Sequence, residues 1–275
     1  MEVREFVAKR KLELKEEVSS LSRKPKLVII QVNDDPASDA YIRGKLKDGA
    51  EIGADCVLDK MDPSTSEETL LSRIEEYNQD PAVDGLIVQL PLPKHISEDK
   101  VKLAVSPKKD VDGFHPLGEQ NPYTPKGIIE YLDAEGFSFV GKNAVVIGRS
   151  NIVGKPMAKM LLAKHCNVTQ LHSRTSKEDM AFYLAHADLI VVAVGRLGLI
   201  DNTFTFKKDA FIVDVGTNRG EDGKLHGDCV PSLPVKLQTP VPGGVGLLTR
   251  LALMENLLEV THKWISRSAT PMSMA

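Results

Sequence analysis

Short apolar runs alternate with segments of helical periodicity along almost the whole chain. Lys26–Val32 (KLVIIQV), Gly85–Leu90 (GLIVQL), Ala144–Ile147, Asn167–Leu171, Leu189–Val194 and Ala210–Val215 are brief, and most are β-branched. Such runs are expected of parallel strands covered on both faces. Cys56–Leu58 is a shorter strand candidate. Between these runs the apolar residues fall three or four apart, as on one face of a helix. Leu14, Val18 and Leu21 mark a helix over 2–22, and a second runs from about Ser38 to Ile52 and stops near Gly53. A third opens at Ser66 and carries Leu71, Ile74 and Tyr77, and a short one covers Glu98–Val105. Thr124-Pro125 has the form of an N-cap followed by a first-turn proline, ahead of Ile128, Ile129 and Leu132. The last helix, Leu247–Ile265, carries Leu247, Leu251, Met254, Leu258 and Ile265 on one broad stripe, and the tail from Ser266 has little to hold it.

This alternation predicts an α/β protein of two lobes. One β/α series is complete by about Phe114, and Asn121–Gly136 bridges to a second series of Rossmann type. The stripe on the last helix must pack somewhere, and its return to the first lobe would leave a cleft. The expected domains are therefore 1–115 with 247–275, and 116–246 as the nucleotide-binding lobe.

Asn143–Pro156 (NAVVIGRSNIVGKP) holds the first candidate chemistry. A buried strand ends at Gly148, and Gly154 opens a helix carrying Met157, Met160, Leu161 and Leu162. Strand, glycine turn and helix form the layout that holds a phosphate at a helix N-terminus. Ser150 stands where G-x-G-x-x-G has its middle glycine, and Pro156 after Lys155 excludes a P-loop. Alone, the turn is equally well an ordinary connection. The following strand tips the balance toward a cofactor. An NAD site carries a carboxylate about 20 residues after the glycine turn, whereas this chain reads His172-Ser173-Arg174-Thr175. Ser173 and Arg174, with Arg149 from the turn, suit a 2′-phosphate, so the expected cofactor is NADP. Gly195 and Gly216 end the next two strands and complete the candidate cofactor edge.

Composition narrows the class of partner. Net charge is −3 and pI ≈ 6.2 over 275 residues, which suggests neither a nucleic-acid nor a membrane partner. The N-terminus is charged throughout, and no apolar run approaches the roughly 18 residues of a span. Cys56, Cys166 and Cys229 are scattered and odd in number, which fits a reducing, cytoplasmic setting and no disulfide framework. The seven histidines show no metal spacing. Asp110 and Asp112 fail the calcium-loop pattern at Phe114, His115 and Asn121, so no metal is expected.

The first lobe has its own candidates. Tyr41 and Lys45 are four apart and share a helix face, where an aromatic ring can stack on a planar ligand and a buried lysine can lose basicity. An exposed Tyr/Lys pair gives the same spacing. Gln89 ends a strand, where ligands of open sheets bind. Asp112, in KDVDGFHP, can accept two hydrogen bonds from an aminopyrimidine edge, or can simply cap its own turn.

Taken in order, SDAYIRGK, DGLIVQLPLP, KDVDGFHP, YTPKG, VVIGRSNIVGKP, HSRT, IVDVGTNR and TPVPGGVG resemble one family. It is the bifunctional methylenetetrahydrofolate dehydrogenase/methenyltetrahydrofolate cyclohydrolase family, and the likeness runs from about Pro25 to Thr249. The resemblance implies oxidation of 5,10-methylenetetrahydrofolate by NADP+, then hydrolysis to 10-formyltetrahydrofolate, in a homodimer acting on tetrahydrofolate derivatives. It makes Lys45 the catalytic lysine, Tyr41 its companion against the pterin, Gln89 the residue tuning that lysine, and Asp112 the holder of the pterin amino edge. Gly148, Arg149, Ser150, Val153 and Gly154 match the cofactor turn, and Ser173 and Arg174 the 2′-phosphate region. Pro242, Gly243, Gly244 and Gly246 match a loop beside the folate. The chain departs from the family at Asn33, usually glycine, at Tyr123, commonly cysteine, and at Leu247-Leu248, usually Pro-Met. A dehydrogenase lacking the hydrolase, a shikimate-type dehydrogenase and a non-catalytic NADP sensor are the alternatives. Retention of Tyr41, Lys45 and Gln89 argues against the first, and the QLPLP and PGGVG blocks against the second. A sensor would have no need to keep Lys45, Gln89 and Asp112 together.

Overall fold

The computed structural model describes residues 1–269. It divides into two compact units: residues 8–123 with the chain from Arg250 on, and residues 1–7 with 124–249.

In the first unit β1 (Lys26–Gln31) lies between β2 (Asp55–Lys60) and β3 (Gly85–Gln89), all parallel. β1 is buried at every position but its first, as its unbroken apolar run requires. Alternate residues face opposite ways. Val28, Ile30, Leu86 and Val88 pack against α3 (Glu67–Gln79) and α4 (Glu98–Ala104), through Leu70, Ile74 and Val101. α2 (Pro36–Ile52) starts before Ser38 because the Asp35 carboxylate accepts the amides of Ala37 and Ser38 and Pro36 takes the first turn. Gly53, at φ 90, ends it in the left-handed conformation.

The stripe of the last helix, α8 (Val245–Ala269), does return to this unit. Asn256 Nδ2 donates to the carbonyls of Val111 and Asn121 at 2.9 and 3.0 Å. A Cβ on Gly85 would stand 2.9 Å from Leu257 Cδ1, so only glycine lets the helix approach β3 this closely. Arg250 pairs with Asp48 of α2 at 2.8 Å, and Lys11 of α1 (Val3–Ser20) reaches the same carboxylate at 2.6 Å. α8 starts two residues before the predicted Leu247 and runs through Ala269, so the tail expected to be loose from Ser266 begins as helix, and its remainder lies outside the described residues.

The second unit is a five-stranded parallel sheet in the order β10-β7-β6-β4-β5. β4 (Asn143–Ile147) and β5 (Asn167–Leu171) lie on one side of the reversal in strand order. β6 (Leu189–Val192), β7 (Phe211–Asp214) and β10 (Leu237–Gln238) lie on the other. Ala144 and Val146 face α5 (Tyr123–Ala134) and α6 (Gly154–Ala163), while Val145 and Ile147 face the side of α7 (Lys177–His186). Residues 1–7 group here because the Met1 amine pairs with Glu135 at 2.8 Å and Phe6 packs edge-on against Tyr131.

Several predicted details change. α5 starts at Tyr123, so Thr124 is no N-cap; its hydroxyl instead meets that of Thr249 at 3.2 Å. β6 stops at Val192, because the amides of Val194, Gly195 and Arg196 turn to the Asp228 carboxylate. Three two-residue strands were not anticipated: β8 (Asn218–Arg219), β9 (Leu225–His226) and β10. No described helix is long and apolar enough to cross a membrane.

The Asp48 cluster ties α1, α2 and α8 together around a carboxylate only 4% exposed. Removing one member of a buried ion network leaves the others unpaired, at about 3–5 kcal/mol. Asp48→Ala is therefore expected to lower the unfolding free energy by about 3 kcal/mol in urea titration. A change within about 0.5 kcal/mol would show that the cluster does not anchor α2.

Candidate active site

In the first unit the strand order reverses between β1 and β3, and the candidate residues gather at the carboxyl ends of those strands. Lys45 comes from the third turn of α2. It is 2% exposed, and its Nζ donates to Gln89 Oε1 at 3.0 Å. Gln89 Nε2 donates to the Leu90 carbonyl, which fixes which end of the amide faces the lysine. Burial pulls the Lys45 pKa down, partly offset by the Asp112 carboxylate. The exposed Tyr/Lys alternative is thereby set aside for the lysine. Tyr41 is 38% exposed; burial raises its phenol pKa against the lowering effect of Arg250.

Sequence reasoning left Asp112 open between a ligand acceptor and a turn cap, and the structure gives the turn to Asp110. Asp110 is the turn carboxylate: its Oδ1 accepts the amides of Asp112 and Gly113, and its Oδ2 accepts that of His115 at 2.7 Å. Gly113, at φ 75, is needed there, since a Cβ would meet the Asn121 backbone at 2.4 Å. Asp112 is released from capping, and its Oδ1 is buried with no hydrogen-bond partner among the described residues. Burial pushes its pKa up to about 7, against the lowering influence of Lys45. Asp110 raises it further, and the nearby Tyr123 side chain and the charge of Lys102 lower it.

Sequence reasoning missed the groups that hold this edge. Asn33 Nδ2 donates to the Pro91 carbonyl at 2.8 Å, and Ser38 Oγ to the Leu90 carbonyl at 3.3 Å. The departure from glycine at Asn33 thus supplies a tie between the two strand ends. Tyr123 also stands in the site, with its ring centroid 5.6 Å from Lys45 Nζ. None of these three contacts has a local signature, because each joins residues more than fifty positions apart.

In the second unit the reversal falls between β4 and β6, and the glycine turn sits at it. Gly148, at φ 121, lies against Ala193, where a Cβ would come within 2.2 Å of the carbonyl oxygen. A Cβ on Gly154 would stand 2.4 Å from the Gly148 oxygen, so this glycine lets α6 approach the strand. Ser150 Oγ accepts the amides of Val153 and Gly154 at 3.1 and 3.3 Å, and its hydroxyl proton remains available to a ligand. Arg149 is exposed beyond β4, and Ser173 and Arg174 are exposed beyond the adjacent β5. Neither arginine has an ion pair among the described residues. An open glycine turn beside two unpaired guanidinium groups fits the phosphates of NADP.

Gly195 donates its amide to Asp228 Oδ2, and Gly216 leaves room for that same carboxylate, whose Cγ a Cβ would meet at 2.2 Å. Asp228, fully buried, shapes this part of the edge and was not foreseen from sequence. Pro242, Gly243, Gly244 and Gly246 belong to this second unit, directly ahead of and entering α8. Lys45, Tyr41, Gln89 and Asp112 belong to the first unit. No group of three or more His, Cys, Asp or Glu among the described residues could hold a metal ion.

Comparison with known proteins identifies the family. The tetrahydrofolate dehydrogenase/cyclohydrolase catalytic domain matches residues 1–112, and the NAD(P)-binding domain of the same family matches 122–264. The chain is 45% identical to the bifunctional protein FolD of Streptococcus pneumoniae strain D39, over 95% of this chain and 94% of that one. It is 44% identical to the bifunctional protein FolD of Bacillus subtilis, over 96% and 97%. Among solved structures, the bifunctional FolD of Campylobacter jejuni superposes with a TM-score of 0.89 at 38% identity, covering 94% of this chain and 96% of that chain. The Trypanosoma brucei enzyme, complexed with NADP cofactor and inhibitor, does so at 0.91 and 28%, covering 98% of each. A catalytic-domain match, an NAD(P)-domain match and full-length relatives make one statement: the chain belongs to the tetrahydrofolate dehydrogenase/cyclohydrolase family.

Proposed function

We infer that this protein oxidises 5,10-methylenetetrahydrofolate with NADP+ and hydrolyses the resulting 5,10-methenyl compound to 10-formyltetrahydrofolate. The observation that carries the reading is the buried Lys45–Gln89 pair beside the unpartnered Asp112 oxygen, in a chain of this family. Residues 8–123 with the last helix form the folate-binding catalytic part in this reading, and 124–249 the cofactor part. A homodimer in the cytoplasm belongs to the same reading and rests on the family alone.

Asp112 is assigned to the pterin. A carboxylate accepts two parallel N–H bonds from an aminopyrimidinone edge, and a buried acceptor without a partner gains most from such a ligand. Tyr41 is assigned to the pterin face. Pro242, Gly243, Gly244 and Gly246 are assigned to the folate as well, on the resemblance. Gly148, Arg149, Ser150, Val153, Gly154, Ser173, Arg174, Gly195 and Gly216 are assigned to the cofactor, with Arg149 and Arg174 on the 2′-phosphate. When bound, NADP+ supplies the acceptor for the hydride that leaves the methylene carbon. The cation left on the folate is delocalised over two nitrogens. No proton moves in that step, so the residues need only align the folate.

Hydrolysis does need proton transfer. Water adds its oxygen to the methenyl carbon and gives a proton to the Lys45 amine. The new hydroxyl then loses its proton as the carbonyl forms and the bond from carbon to N5 breaks. N5 takes up a proton, which the Lys45 ammonium can supply, and one proton is released overall. A lysine with lowered pKa has the unprotonated fraction this step requires, and Gln89 Oε1 orients it.

The direct test mixes protein, methylenetetrahydrofolate and NADP+ and follows absorbance before and after acid quench. Reduced cofactor with little methenyl compound, after subtraction of uncatalysed hydrolysis, is the expected result. Methenyl compound accumulating at the uncatalysed limit would leave a dehydrogenase alone. Lys45→Met is expected to slow hydrolysis at least about 100-fold and to leave hydride transfer measurable; hydrolysis at the wild-type rate would remove Lys45 from the mechanism. Arg174→Ala should cut the preference for NADP+ over NAD+ about tenfold, as loss of a charge-assisted bond does, and an unchanged ratio would refute the 2′-phosphate assignment. The folate KM should rise as pH falls below about 7, where Asp112 takes up its proton and loses an acceptor oxygen. A KM flat across that range would dissociate Asp112 from folate binding.

A further inference from the structure

Tyr41, Gly44, Lys45 and Asp48 of α2 fall within an arc of about 100° around the helix, and so form one face. Tyr41 and Lys45 belong to the candidate folate site. Arg250, from the second turn of α8, lies across this same face. Gly44 makes room for it: a Cβ there would overlap Arg250 Nη1 and stand 2.9 Å from Cζ. The guanidinium therefore rests on the backbone of the residue just before the buried lysine.

The protein itself uses little of this group. Arg250 Nε lies 2.8 Å from Asp48 Oδ2, but the two are not aligned for a hydrogen bond. Asp48 also pairs with Lys11 at 2.6 Å, so one buried carboxylate answers two cations. Among the described residues nothing accepts a hydrogen bond from Nη1 or Nη2, and the side chain is 23% exposed. From Asp48 to Gly44 the group runs one turn toward the N-terminal end of α2, the end that carries Tyr41. An arginine also keeps its charge at every working pH, whereas burial makes Lys45 less basic. Arg250 is thus the lasting cation of this face.

We propose that Arg250 recognises the glutamate end of the folate: the open edge of its guanidinium takes a substrate carboxylate and sets a preference for folates that carry that glutamate. The inference rests on the folate reading and deepens it. In that reading Asp112 takes the pterin edge and Lys45 stands by the reacting carbon, so the benzoylglutamate end of the ligand is what remains to be held. Its carboxylates are the anions of the ligand at neutral pH, and a guanidinium edge meets a carboxylate through two parallel N–H bonds.

The test assays the full chain, with saturating NADP+, on methylenetetrahydrofolate and on methylenetetrahydropteroate, which lacks the glutamate. Wild type is expected to favour the first in kcat/KM by about tenfold, the contribution of one charge-assisted pair. Arg250→Met should bring that ratio to within about twofold of one. It should do so by raising the KM for the glutamate-bearing substrate, while its kcat and the KM for the pteroate stay within about twofold. Gly44→Ala keeps Arg250 in the chain but pushes its guanidinium off α2. Alanine suits a helix interior better than glycine, so this variant folds, and it should narrow the ratio as well. A wild type indifferent to the glutamate would overturn the proposal. So would variants that keep the wild-type ratio, including variants that lose activity on both substrates in equal proportion, the mark of a merely structural role. A wild type that reduces no cofactor with either substrate would instead overturn the folate reading itself.

Discussion

An amine held out of water is the condition on which the candidate site depends. Burial disfavours the ammonium form of Lys45 and would leave a polar group stranded if nothing answered it. Three neighbours answer it in different ways. Gln89 accepts a hydrogen bond without adding charge, the Tyr123 ring offers a polarisable face, and Asp112 supplies a negative charge that partly restores basicity. The balance leaves a lysine that is less basic than usual yet still positioned. Asp112 meets the same constraint with the opposite sign, being pushed toward its neutral form by burial and drawn back by Lys45.

Holding that balance requires a rigid frame, and buried aspartates supply much of it. Asp48 gathers Arg250 and Lys11 behind α2, and Asp84 pairs with Arg23 and the Lys26 amide at the start of β1. Asp110 clamps the loop that carries Asp112. The second unit repeats the device. Asp214 takes the amides of Gly216, Asp228 and Cys229, and Asp228 takes those of Val194, Gly195 and Arg196. Asp48 is held by side chains alone; the other carboxylates receive backbone donors that would otherwise lack partners. Loops are thereby fixed at the strand ends, where open α/β sheets bind ligands.

Glycine does complementary work at a few positions. Gly148 and Gly154 allow strand, turn and helix to close on one another, and Gly85 lets α8 settle against β3. These are requirements of close approach rather than of flexibility. Ser150 shows how the chain can dispense with the usual middle glycine: its own hydroxyl takes the amides at the start of α6.

What the sequence by itself determined was local. Short unbroken apolar runs and stripes of period 3.6 made the strands and helices, because burial of a strand or a helix face depends on residues a few positions apart. Gly53 and Ser66 ended and began helices for equally local reasons of backbone conformation and capping. The glycine turn and the Ser173–Arg174 pair stood out as a candidate cofactor edge from order and spacing. Two-residue strands such as β10 were not, since they exist only through pairing with a distant strand. Neither was the division between Asp110 and Asp112, two carboxylates alike in sequence. Only the tertiary structure decided which one the turn consumes and which one stays free, because the Lys45, Tyr123 and Lys102 groups that surround Asp112 come from three separate helices. A pKa is set by burial and neighbours in space, and those do not exist until the chain has folded.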